Sequence, residues 1–311
     1  MKKSFVTNGL LTDNIEPIEY KALLGRQAKI LNKNSQSKIV FVYGHHASLE
    51  RVAGILLALS DFGDVYCPDL PGFGGMDNFY KINQIPTIDT LAEYLADYLK
   101  KNFKNQKIVL IGLSLGFVII TRMLQNYPEL TKKVTLLVSL VGFSSYLDFN
   151  FSKFRRTSYY LGAVILDNRI FSIFFDKIIL NKWILKLFYS HTYNARSKFL
   201  NMDQTEYNQK IAFEINLWKI NHVRTWLHTA REFLVLDNTV KRINHNLIYI
   251  GSKYDNYFNQ DNVLINLNQI FSSVDSYFID LANHSPSILA SKKEALTLIP
   301  DQLVKLLLEL N

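Results

Sequence analysis

Short apolar runs, separated by stretches of helical periodicity, constrain this chain more than any other feature. Ile39–Tyr43 reads IVFVY and Ile108–Gly112 reads IVLIG, with no charged side chain to mark a solvent face. Such runs suit strands buried on both sides, and a sheet covered on both faces needs helices above and below it. The intervening segments supply them. Ser48 to Ser60 carries helical periodicity, Thr87 or Asp89 can cap a helix running to about Lys101, and Leu115–Asn126 forms a helix stopped by Pro128. With Asp64–Pro68 and Val134–Leu140 as further strands, the first half of the chain predicts a largely parallel sheet with crossover helices.

The alternation stops after Leu140. From Ser144 to about Asn246 the chain is aromatic-rich, basic and helical in pattern, with no clear strand. Strand signals resume at Leu247–Gly251 (LIYIG) and Asp275–Asp280 (DSYFID). Helices are expected over Asp261–Phe271 and from about Ser291 to the end, the latter divided by Pro300. An α/β architecture follows: residues 1–144 and 247–311 form one core, and residues 145–246 form a helical cap inserted between them.

Charge divides the chain at the same places. The 311 residues carry a formal +8. Residues 151 to 245 hold 15 basic and 7 acidic side chains, and the remainder holds 20 of each sign. The excess belongs to the cap, which argues against a nucleic-acid partner and for a local surface role, peripheral membrane contact among them. The single cysteine, Cys67, excludes a disulfide framework and a cysteine-based zinc site. Met1-Lys2-Lys3 opens like a signal peptide, but polar residues break the stretch that follows. No run reaches the ~18–20 apolar residues of a spanning helix. A soluble, cytoplasmic protein is the expectation.

Gly112-Leu113-Ser114-Leu115-Gly116 sits between the strand IVLIG and the helix that follows it. A serine on so tight a strand-to-helix turn is held in a strained conformation, and the flanking glycines relieve crowding where strand and helix nearly touch. Its hydroxyl then projects at a helix N-terminus, where the Leu115 N–H can stabilise an oxyanion. Serine needs a base. Of seven histidines, His284 lies in the loop after the last strand, at the sheet edge where the carboxyl ends of parallel strands meet. An orienting acid should come from another strand end. Asp255, just past LIYIG, is the first candidate, and Asp148, after the fourth strand of the series, competes with it.

These segments resemble the α/β-hydrolase-fold serine hydrolases, esterase- and lipase-like members with a helical cap, from about Lys38 to the C-terminus. The resemblance is carried by Gly112–Gly116, by Asp69-Leu70-Pro71-Gly72-Phe73-Gly74, by Gly251–Asp255 and by His284-Ser285-Pro286. It implies a mainly parallel sheet of about eight strands, the first of them preceding Ile39, and a Ser114–His284–Asp255 triad. The family usually places His-Gly-x after its third strand, with the x backbone N–H as second oxyanion donor. This chain has Tyr43-Gly44-His45-His46, so position assigns that N–H to His45, with Gly44 and His46 as candidates to line the pocket. Because the donor is backbone, the change of side chain leaves the hole intact. The His45-His46 pair lacks a matching carboxylate motif, and neither a metal nor a cofactor is expected.

A serine nucleophile fits acyl transfer and excludes the alkyl-enzyme chemistry of relatives that open epoxides. The expectation is hydrolysis of a carboxylic ester, thioester or lactone through an acyl-enzyme. An acyltransferase using the same triad, or a ligand-binding protein without catalysis, is the alternative. The cap aromatics, among them Phe149, Phe151, Phe154, Tyr159, Trp218 and Trp226, would form either an apolar acyl pocket or the cap's own core.

Overall fold

In the computed structural model, which describes residues 11–174, 184, 204–280 and 291–310, the apolar runs form the middle of one sheet. Its strands are β1 (Ile15–Tyr20), β2 (Leu23–Ile30), β3 (Lys38–Val42), β4 (Asp64–Pro68), β5 (Ile108–Leu113), β6 (Val134–Leu140), β7 (Ile243–Ser252) and β8 (Phe271–Ile279). They lie side by side in the order β1-β2-β4-β3-β5-β6-β7-β8. β1 pairs antiparallel with β2, and β2 antiparallel with β4; every later pairing is parallel. β5 is buried at all six positions, because helices cover both of its faces. Cys67 is a buried residue of β4.

The crossover helices are α1 (Leu49–Leu59), α2 (Ile88–Asn102) and α3 (Leu115–Asn126). Ser48 and Thr87 begin the first two, each side chain accepting from the backbone N–H three residues on. Between β6 and β7 lie α4 (Lys153–Leu166), α5 (Arg169–Phe174), α6 (Gln204–Ile220) and α7 (Val223–Phe233); α8 (Gln260–Ile270) joins β7 to β8. Pro300 divides the C-terminal helical stretch into α9 (Lys292–Leu296) and α10 (Asp301–Glu309).

Two strand starts differ from expectation, for one reason. β7 begins at Ile243, inside the segment that reads as strandless, because Ile243, Asn244 and His245 give no continuous apolar signal. β8 begins at Phe271, four residues before DSYFID, because its start on the sheet edge exposes two consecutive serines, Ser272 and Ser273, that read as loop. No helix among the described residues is long and apolar enough to cross a membrane.

The helices after β6 are tied to the core by backbone groups. Gly74 N–H donates to Asn221 Oδ1 (2.8 Å), His222 N–H to Gly72 O (2.8 Å), and Ile88 N–H to Glu232 Oε2 (3.3 Å). The contacts on Gly72 and Gly74 place α6 and α7 over the turn that follows β4, at the carboxyl end of the parallel strands.

Candidate active site

Ser114 has φ +50° and ψ −113°, a region that side-chain-bearing residues rarely occupy. Tertiary contacts hold it there. Its N–H donates to Leu140 O at 2.9 Å, fastening the turn to the end of β6. A Cβ on Gly116 would lie 2.0 Å from Val42 O, and one on Gly112 would lie 2.5 Å from Phe117 Cα. Both positions therefore require glycine, and the serine is forced out above the sheet between them. Leu115 opens α3, so its N–H has no intrahelical acceptor.

The loop after β3 comes up beside this turn. A Cβ on Gly44 would be 3.3 Å from Ser114 Cβ and 3.3 Å from Leu113 O, so the Gly44 backbone passes against the serine. His46 also has positive φ, at +54°. Val141, directly after β6, is a β-branched residue at φ +43°, held by a 2.7 Å bond from its N–H to Ile250 O. Strained backbone thus gathers at the carboxyl ends of β3, β5 and β6.

The two expected acids part company. Asp255 follows β7, and its Oδ1 accepts from the N–H groups of Tyr257 (2.8 Å) and Phe258 (3.2 Å). Asp148 is fully buried and accepts from Ser144 N–H (2.7 Å), Ser145 N–H (2.9 Å) and Asn266 Nδ2 (2.6 Å). Burial raises the Asp148 carboxyl above its ordinary range against these donors. Asp148 is a fastening between the β6 loop and α8. His284, the expected base, lies outside the described residues.

The side chains of the histidine pair turn toward the helices. His45 Nε2 lies 3.2 Å from Trp226 O and 2.9 Å from Thr229 Oγ1. A carbonyl only accepts, so Nε2 carries the proton. Burial, with His46 adding to it, lowers the His45 imidazole to about 3 and keeps it neutral. Its ring stacks on Trp226 with centroids 5.3 Å apart. His46 packs on Trp218 at 4.0 Å, accepts at Nδ1 from Asn221 Nδ2 (3.3 Å), and its Nε2 lies 3.7 Å from Glu214 Oε2. Among the described residues no three His, Cys, Asp or Glu side chains gather as a metal site.

Tyr43 also has a structural role. Its hydroxyl donates to Asp69 Oδ1 (3.0 Å) and accepts from Leu70 N–H (2.8 Å). Arg26 Nε donates to Asp69 Oδ2 (3.0 Å), while its other nitrogens reach Glu50 (2.7 Å) and Gly74 O (2.7 Å). Burial lifts the Asp69 carboxyl to about 8 against the pull of Arg26. This network under the Asp69–Gly74 turn escapes sequence reasoning. Its only trace is a cation, Arg26, inside a strand next to a buried turn.

A continuous series of ring contacts lines the same side. Phe233 meets His45 at 5.0 Å and Phe143 at 5.4 Å; Phe143 stacks on Phe258 at 4.6 Å and meets Phe149 at 5.3 Å. Phe143, Phe233 and Phe258 are absent from the sequence-derived set of pocket aromatics. Of the aromatics in that set, Phe154 points to solvent.

A strained serine between strand and helix, under helices inserted after β6, defines the α/β-hydrolase class. The family model described as alpha/beta hydrolase fold matches residues 26–291, and the chain belongs to that family. Solved structures agree. The chain is similar to a hydrolase from Pseudomonas aeruginosa (11% identity, TM-score 0.65, 88% of this chain and 92% of that one). It is also similar to a thermophilic esterase from Thermogutta terrifontis (16%, TM-score 0.62, 94% and 98%). An N-acyl homoserine lactonase matches at 13% identity and TM-score 0.62, over 89% and 91% of the two chains. A search of curated proteins gives no match.

Proposed function

We propose that this protein is a serine hydrolase of carboxylic esters, thioesters or lactones. The observation that carries the reading is Ser114 at φ +50°, seated at the start of α3 with the Gly44 backbone against it. In this reading Ser114 Oγ attacks the carbonyl carbon as its proton passes to His284, and the carbonyl π bond becomes an oxyanion. The N–H groups of Leu115 and His45 hold that charge. Collapse expels the alcohol, thiol or ring oxygen, which takes the proton from His284, and leaves an acyl-enzyme. Water, deprotonated by His284, then releases the acid and restores the serine.

Asp255 orients His284. Asp148 is fully buried, with Oδ1 accepting from Asn266 and Oδ2 from the Ser144 and Ser145 N–H groups, which supports this choice. The aromatic series from Phe233 to Phe149 supports an apolar acyl group. The helices between β6 and β7 then act as a cap. The named esterase and lactonase neighbours perform the two ends of this reaction class. A fluorophosphonate probe should label the wild type and not Ser114→Ala. Hydrolysis of a panel of p-nitrophenyl esters and lactones should disappear with the same substitution. Unlabelled wild type at pH 8, or full activity in Ser114→Ala, would overturn the proposal.

A further inference from the structure

The helix α4 shows an unusual surface. None of its 14 residues is buried. Phe154 is 84% exposed, Leu161 55% and Ile165 60%; spaced by seven and eleven residues, they fall on one stripe of the helix. On α5, Ile170 is 80% exposed. Large apolar side chains exposed together along one helix face mark an interaction surface.

Charge around the stripe selects the partner. At 100° per residue, Lys153 and Arg155 lie about 100° to either side of Phe154, on the two flanks of the stripe. Arg155 rests over the Phe151 ring (4.7 Å) and Arg156 over Tyr146 (4.2 Å), so these cations sit on aromatic faces. No acidic residue occurs from Phe149 to Leu166. Asp167, the first to follow, is held by His228 (2.7 Å), Arg231 (3.1 Å) and Arg224 (3.4 Å). A second copy of the chain would bring this basic face against its own like charge in a two-fold contact.

We propose that α4 and α5 form a docking surface for an anionic lipid bilayer. Phe154, Leu161, Ile165 and Ile170 enter the acyl boundary, and Lys153 and Arg155 meet the phosphates. The inference needs no catalysis and stands or falls apart from the proposed reaction.

The test is cosedimentation of the full chain with vesicles of phosphatidylcholine and phosphatidylglycerol (7:3) against phosphatidylcholine alone, at low and high salt. Wild type should bind the anionic vesicles, with partitioning at least tenfold weaker on pure phosphatidylcholine or in 0.5 M salt. Phe154→Ser should lose tenfold or more, and Lys153→Gln and Arg155→Gln about fivefold each. All three should keep the wild-type melting temperature. The two glutamine variants carry the test if Phe154→Ser disturbs the fold. Absence of wild-type binding, salt-insensitive binding, or binding unaffected by these substitutions overturns the proposal. So does a concentration-dependent dimer that Phe154→Ser abolishes while vesicles go unbound.

Discussion

The imidazole of His45 and the hydroxyl of Thr229 meet at 2.9 Å, joining the loop after β3 to α7. The Thr229 hydroxyl donates to Thr225 O (2.9 Å), so its lone pair is available to the proton on His45 Nε2. His45, next to the Gly44 backbone that lies against the Ser114 turn, thus has its side chain in the helices above. Replacing Thr229 with Val removes the nearer of the two acceptors at His45 Nε2, leaving Trp226 O, and loosens that hold. If the His45 N–H stabilises the oxyanion, kcat should fall about three- to tenfold with KM within twofold, the signature of an interaction made in the transition state. Steady-state kinetics on a soluble ester measure both. A change confined to KM would place Thr229 in ground-state binding instead.

Acid should destabilise the protein through the same residue. The folded His45 titrates at about 3, below the ~6.5 of an unfolded histidine, so the unfolded chain binds more protons between these values. The contribution is complete above pH 6.5 and is lost progressively as pH falls toward 3. At pH 4 the loss is about 3 kcal/mol. Urea denaturation at pH 4, 5, 6 and 7 should show this slope in the wild type and a shallower one in His45→Gln.

The two carboxylates predict opposite phenotypes. Asp148→Asn turns an amide toward backbone N–H donors and should lower stability by about 2–3 kcal/mol, read by denaturant midpoint. Asp255→Asn should leave the midpoint within 1 kcal/mol or so and reduce kcat by about 10³–10⁴. An inactive but stable Asp148→Asn would reverse the assignment.

Two glycine substitutions should move stability in opposite directions. Gly116→Ala places a methyl 2.0 Å from Val42 O, with backbone on both sides, and should cost more than about 3 kcal/mol. Gly162→Ala, in α4, meets nothing within 4 Å and should add about 0.5–1 kcal/mol by helix propensity alone. Thermal melts of the two variants make the comparison directly.

The sequence makes the doubly covered parts legible and hides the rest, for physical reasons. Strands β3 and β5 announce themselves because burial on both faces leaves no polar positions. The elbow is legible because Gly112 and Gly116 are required by close backbone contacts. The hairpin joining β1 to β2 is not: its turn is Lys21-Ala22, with Lys21 at φ +52°, where Asn-Gly would have signalled it. The Arg26–Glu50–Asp69 network draws on three separate elements, and nothing in spacing along the chain reveals such a meeting. The choice between Asp255 and Asp148 rests on the full burial of Asp148 and the donors that fill both of its oxygens, a property of folded neighbours alone.

The packing of both imidazoles of the loop after β3 against α6 and α7 bears on how this scaffold can diversify. Their partners there are Glu214, Trp218, Asn221, Trp226, Thr229 and Phe233, six positions in or between these two helices. A graft of foreign helices after β6 would strand two rings against surfaces unable to receive them, unless those positions travelled with it. The helices between β6 and β7 therefore complete the packing of the loop after β3, and a replacement of them must supply matching partners for both rings.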